Sequence, residues 1–205
     1  MRGEFILKET KYLLNKGVQS RIEKLLIDPS NFKEISQLDN KILSEPGFYC
    51  IRLREQSKLP TRYQTILESR VYKYIYIGKA EKTIKQRLEQ ELEHKSPGTF
   101  FRSIGCVLGY LPIKGHLIGK VNKDNFKFSK SDTEEIINWL KENIEVSIVA
   151  YDDNFDLIEG ILIEKYNPLL NINKNPLKLK ELAEDRKKCK DIAGGVSGPY
   201  KKKFN

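Results

Sequence analysis

Gly47-Phe48-Tyr49 and Tyr76-Ile77-Gly78 constrain this chain more than any other stretch. The first opens GFYCIRL, a compact apolar and aromatic run behind Pro46. The second sits in VYKYIYIG, a run of β-branched and aromatic residues that stops at a glycine. Both read as β-strands, at about 47–53 and about 71–77. A small sheet that pairs them brings two tyrosine hydroxyls close together.

Upstream, apolar residues recur at helical intervals over 4–27, among them Phe5, Leu14, Val18, Ile22, Leu25 and Leu26. One or two amphipathic helices are predicted there, ended by Asp28-Pro29-Ser30. Residues 31–45 read as a polar connector. Between the strands, REQSKLPTRYQTILESR reads as a charged hairpin excursion. After the second strand a helix is predicted over 79–93, with Thr83 as N-cap and Ile84, Leu88 and Leu92 on one face. The glycine-punctuated, mixed aromatic stretch 96–130 is the hardest to assign. Ser131-Asp132-Thr133-Glu134 has capping-box spacing and predicts a helix over 132–142. VSIVAY is a third, buried strand, and DLIEGILIEKYN a helix ended by Pro168. Asn173 to Pro176 is a turn. An amphipathic helix over 177–190 and a flexible tail, GGVSGPYKKKFN, complete the chain.

This order of elements predicts an α/β (α+β) domain: a small antiparallel sheet flanked by helices. The divisions expected are an N-terminal helical extension at 1–43, a central domain at 44–176 with an insertion at about 97–143, and a basic C-terminal helix and tail at 177–205.

Charge narrows the partner. The 205 residues carry a formal net charge of +9, with 39% hydrophobic and 32% charged residues. That balance fits a soluble globular protein, and the basic surplus favours nucleic acid over a membrane surface. Cys50, Cys106 and Cys189 form no CxxC pair, predict neither a zinc framework nor a disulfide scaffold, and suit a reducing cytoplasm. No apolar run reaches transmembrane length.

Helix faces single out further residues. On the helix after the third strand, Glu159, Ile163 and Tyr166 lie beside the buried stripe, while Glu164 falls on the polar side. Glu159 is either a boundary residue with a salt partner or the carboxylate that does chemistry. On the helix after YIG, Arg87, Glu91 and His94 share a stripe. They are either an ion pair on a wet face or an arginine aimed at a phosphate. Lys79 carries the same two readings.

Taken together, these residues resemble the GIY-YIG nuclease superfamily. GFY stands for its first motif and YIG for its second; YIGKA resembles the excision-repair members. Arg87 matches the family arginine, Glu159 lies where the family has its metal-binding glutamate, and EGILIEKYNPLLN puts the family asparagine at Asn171. The resemblance covers about 44–175 and is carried by the ordered set rather than by one tripeptide. It implies a three-stranded antiparallel sheet and hydrolysis of nucleic-acid phosphodiesters. Tyr49, Tyr76, Lys79, Arg87, Glu159 and Asn171 are then the catalytic set, Glu159 holding Mg²⁺ or Mn²⁺. Tyr49 is expected on the water side with Tyr76 its partner. DNA is the expected substrate, with RNA not separated from it. A non-catalytic nucleic-acid-binding module on the same fold is the competing reading.

The first motif has Phe48 where isoleucine or valine is usual. Some restriction-type members carry a histidine one turn after the arginine; here that position is Glu91, and His94 lies further on. His94, Arg102, Arg186, Lys187 and Lys188 are secondary candidates for substrate contact. The lysine-rich end either neutralises phosphates or merely solubilises, and the aromatics beside Arg102 either pack or stack on bases.

Overall fold

The protein is described from a computed structural model, which places residues 17–96 and 98–196. Its centre is a three-stranded sheet of β1 (Gly47–Leu53), β2 (Tyr74–Ala80) and β3 (Ile144–Ala150), in the order β2-β1-β3. Both pairings are antiparallel. The central strand is GFYCIRL because it has almost nothing to show to water: Phe48, Tyr49, Cys50 and Ile51 are wholly buried.

Side chains alternate across the sheet, and the two faces meet different helices. Tyr49, Ile51 and Tyr76 share one apolar cluster with α3 (Thr61–Ser69), α4 (Ile84–Leu92), α5 (Thr99–Val107), α6 (Lys130–Asn143) and α8 (Lys180–Ala193). Phe48, Cys50 and Ile77 face the other way. They pack with Ile22 and Leu26 of α1 (residues 17–27) and with Ile158, Leu162 and Ile163 of α7 (Phe155–Tyr166). A short α2 (Asn40–Leu43) lies in the connector, capped by Asp39, whose carboxylate accepts the Lys41 N–H at 2.8 Å.

Several expectations are corrected by packing. The excursion between β1 and β2 contains a helix, α3, whose Tyr63 and Leu67 are buried one turn apart. β2 does not stop at Gly78; it runs on to Ala80, which pairs with Gly47. The helix α6 begins at Lys130, capped by Ser129, which accepts the Asp132 N–H at 3.1 Å, rather than by Ser131. Thr83 does cap α4, accepting the Gln86 N–H at 3.1 Å. α7 ends in Asn167, whose φ of 45° turns the chain into Pro168.

α8 packs against α5 and its Leu182, Cys189 and Ala193 belong to the main core. Cys106 and Cys189, both free and buried, stand with their sulfurs 3.1 Å apart at that contact. The expected helices over 4–16 and the tail with Lys201, Lys202 and Lys203 lie outside the described residues. Among the described residues, no helix is long and apolar enough to cross a membrane.

Candidate active site

Pairing of β1 with β2 builds the first part of the site. Tyr49 is opposite Gly78, and Tyr76 is opposite Ile51, so the two tyrosines are diagonal neighbours on one face. Their ring centroids are 6.2 Å apart. Tyr49 lies against Gly78 so closely that a β-carbon there would stand 2.3 Å from the phenol oxygen. The two phenols are not equivalent. Tyr49 is fully buried and its hydroxyl makes no hydrogen bond, whereas Tyr76 is slightly exposed and lines the cleft described below. Tyr76 is thus the more accessible phenol, with Tyr49 behind it.

Burial, then the Glu91 carboxylate and Tyr76, push the Tyr49 phenol well above the ordinary tyrosine range, against the pull of Arg87. Burial and Glu91 likewise raise Tyr76. Both phenols thus stay protonated near neutral pH.

The helix α4 supplies the cation. Ile84, Leu88 and Leu92 anchor its inner face and leave Arg87 at the edge, half-buried. Burial opposes the charge of Arg87, but Tyr49 and Glu91 beside it more than restore it, so the guanidinium stays protonated. It donates to Gln90 Oε1 at 3.2 Å and forms an ion pair with Glu91.

Glu91 is not on a wet face. Its side chain is 0% exposed, and its second oxygen accepts the Phe100 N–H at 2.8 Å, at the first turn of α5. A carboxylate at a helix N-terminus meets unpaired N–H groups and the positive end of the dipole. Gly98 permits the approach, since a β-carbon there would be 2.5 Å from Glu91 Oε2. Burial raises the Glu91 carboxyl, with Arg87 and the Phe100 and Phe101 N–H groups opposing.

The helix α7 and the turn after it complete the site. Glu159 is mostly buried and meets Lys174 Nζ at 2.9 Å. Lys174 also reaches Asp156 at 2.8 Å, and Asp156 in turn meets Lys79 at 3.2 Å. Lys79 pairs with Glu81 as well. Asn171 is buried and lies beside β2: it accepts the Ile77 N–H at 2.9 Å and donates to the Ile77 carbonyl at 2.8 Å.

Two adjoining hollows open on these residues. One, of about 400 Å³, is lined by Lys79, Lys82, Arg87, Gln90 and Glu159. The other, of about 300 Å³, is lined by Tyr76, Arg87, Asp156, Glu159 and Lys174. Arg87 and Glu159 line both, and the two hollows together form the cleft considered below.

Residues 47–191 match the GIY-YIG catalytic domain family, which spans most of the 205-residue chain. The chain belongs to the GIY-YIG family. No curated protein and no solved structure matches it.

In this GIY-YIG domain the side chains expected in the catalytic set surround the cleft or support its walls. The secondary candidates do not join them. Arg102 is buried in α5, and Arg186 is buried on α8, donating to Ser103 Oγ at 2.8 Å and the Thr99 carbonyl at 3.3 Å. Both residues are buried in the protein. His94 stacks on Phe101 at 4.4 Å. Lys187 is exposed and meets Asp191 at 2.6 Å, while Lys188 lines a separate hollow with Tyr63 and Cys189.

Two residues escaped the sequence reading, and a third, Glu91, was read without its burial. Glu91 was placed on the surface because α5, which buries it, cannot be inferred from the period of α4. Asp156 and Lys174 carried no motif. The one available signal was spacing: Asp156 and Glu159 are three apart on α7 and so face the same way.

Proposed function

We propose that the protein is a divalent-metal-dependent endonuclease that hydrolyses phosphodiester bonds in DNA. The observation that carries this reading is the meeting of Tyr76, Arg87 and Glu159, from a strand and two helices, on one open cleft. The net charge of +9 supports an anionic polymer as the substrate. Free, buried thiols at Cys50, Cys106 and Cys189 support a reducing, cytoplasmic setting.

The fit to a metal rests on Glu159. Its carboxylate faces the cleft and already holds a cation, the Lys174 ammonium. Among the described residues no group of three or more His, Cys, Asp or Glu could hold a metal. That donor set suits Mg²⁺ or Mn²⁺, which keep several waters and accept one or two protein carboxylates plus substrate oxygens. Bound there, the ion would supply Lewis acidity and a more acidic water.

The chain's own residues do the rest. Arg87 binds the scissile phosphate through a guanidinium that stays charged, and stabilises the charge that grows on its oxygens as water attacks phosphorus. Glu91, itself tied to α5, fixes the direction of that guanidinium. Tyr76, protonated and at the cleft, donates a hydrogen bond to the attacking water or a phosphate oxygen. Tyr49 supports Tyr76 and Arg87 from behind. Lys79 adds positive charge at the rim, and Asn171 keeps β2 in place.

The test is incubation of the full chain with supercoiled, linear, branched and single-stranded DNA, and with RNA, with and without Mg²⁺. Metal-dependent cleavage of DNA is expected, and it should be abolished in Glu159→Ala and in Arg87→Ala while both variants keep the wild-type circular dichroism. Full activity in either variant would overturn the assignment. Binding without cleavage of any substrate would favour a non-catalytic module.

A further inference from the structure

Lys174 is held in an unusual way for a surface lysine. Its backbone is left-handed, with φ of 60°, a conformation disfavoured for a side chain of this size. The turn around it is locked by buried Asn175, which donates to the carbonyls of Pro168 at 2.8 Å and Asn171 at 3.0 Å. From that turn the lysine reaches back across Gly160, where a β-carbon would lie 3.7 Å from its Cδ. Its ammonium ends on α7. There it meets Glu159 Oε2 at 2.9 Å, Asp156 Oδ1 at 2.8 Å and the Asp156 carbonyl at 3.1 Å. An ammonium has three donors, and these acceptors use them all.

We propose that Lys174 occupies the cation position on Glu159, and that a divalent metal binds there only by displacing it. The inference rests on the reading of Glu159 as the metal-holding carboxylate. A metal ligated by a carboxylate sits about 2.0–2.1 Å from the oxygen if it is Mg²⁺. The ammonium stands 2.9 Å from Glu159 Oε2, and a metal ligated by either oxygen of that carboxylate would lie close enough to it for the two cations to repel strongly. Each cation therefore weakens the hold of the other on Glu159.

Until the metal arrives, Lys174 keeps Glu159 turned toward the cleft and offsets the repulsion between Glu159 and Asp156. Lys174 lines the cleft, so displacement would leave its donors free for a phosphate oxygen. Ion and substrate then favour the same released lysine, which couples their binding reciprocally.

Mn²⁺ binding, measured by titration calorimetry on the full chain without substrate, tests this apart from activity. Lys174→Met keeps the apolar stem and drops the charge. Lys174→Asn drops the charge and also suits the left-handed backbone, so it guards against a folding defect in the first variant. Both should bind Mn²⁺ about five- to tenfold more tightly than wild type, the scale of one nearby charge at a half-exposed site. Lys174→Arg should bind like wild type, and Glu159→Gln should lose binding. Equal or weaker binding in Lys174→Met and Lys174→Asn overturns the proposal while leaving Glu159 as the metal carboxylate. No Mn²⁺ binding by wild type or either variant overturns the metal reading itself.

Discussion

Gly78 and Tyr49 show how much a single residue can decide. A β-carbon on Gly78 would stand 2.3 Å from the Tyr49 phenol oxygen and 2.4 Å from its Cζ. A ring buried on a central strand cannot move aside without repacking the face it lies on. The glycine of one tripeptide is thus the seat of the tyrosine of the other, which is why the two were informative together. His94 is a residue of a different kind. Its ring stacks on Phe101, its nitrogens make no hydrogen bond, and burial, then Arg102 and Lys127, depress its pKa from 6.5 to about 4. The unfolded chain therefore takes up a proton near pH 6.5 that the folded protein refuses until about pH 4. Stability contributed by this group is complete above pH 6.5, falls as the pH drops through that window, and changes no further below about 4. In His94→Asn, which tolerates the φ of 54° at this position, the melting temperature should fall less between pH 6.5 and 4 than in wild type. Parallel thermal melts of the two proteins across that range would disprove the assignment. Nothing in the sequence marked the His94 nitrogens as shielded, because Phe101 and Arg102 come from a helix with no readable period.

At the scale of elements, what the strands could reveal about themselves was limited to their own residues. β1 is apolar on both faces and its limits, Gly47–Leu53, coincide with the expectation. β2 was displaced, because a glycine inside a strand looks like its end. The outer edge of β2 carried no visible signal at all. It is covered by the segment after α7: Leu169 N donates to Tyr74 O at 3.0 Å, Leu170 N to Ile75 O at 2.8 Å, and the Asn171 amide bonds both the N–H and the carbonyl of Ile77. An asparagine side chain, with one acceptor and two donors, imitates the backbone of a neighbouring strand and closes an edge that would otherwise stay open. The structure engages the Asn171 amide with β2. Asn171→Ala leaves a buried N–H and carbonyl without partners and should cost about 2–4 kcal/mol in urea unfolding. A loss below about 0.5 kcal/mol would show that water replaces the amide and that β2 needs no such cover.

For the whole molecule, the basic C-terminal helix expected after residue 176 packs into the main core as α8. α8 read as a basic end because Arg186, Lys187 and Lys188 dominate its sequence. The structure turns its Leu182, Arg186, Cys189 and Ala193 inward, and a stripe containing an arginine and a cysteine does not look apolar on a helical wheel. The insertion then rests on it: Gly115 N donates to Ile192 O at 3.1 Å and Leu117 N to Ala193 O at 2.7 Å. This arrangement reaches the cleft through a short chain of contacts. α8 supports α5, the first turn of α5 binds Glu91, and Glu91 holds Arg87. Leu182 is fully buried, so Leu182→Ala should cost about 2–4 kcal/mol. Lys187→Ala, on the exposed side of the same helix, should stay within about 0.5 kcal/mol of wild type. Removing the helix should accordingly unfold the protein rather than release a smaller nuclease. Urea midpoints for the two substitutions decide the matter. A Leu182→Ala midpoint equal to that of Lys187→Ala would make α8 an appendage after all, and would break the proposed line of support to Arg87 at its first link.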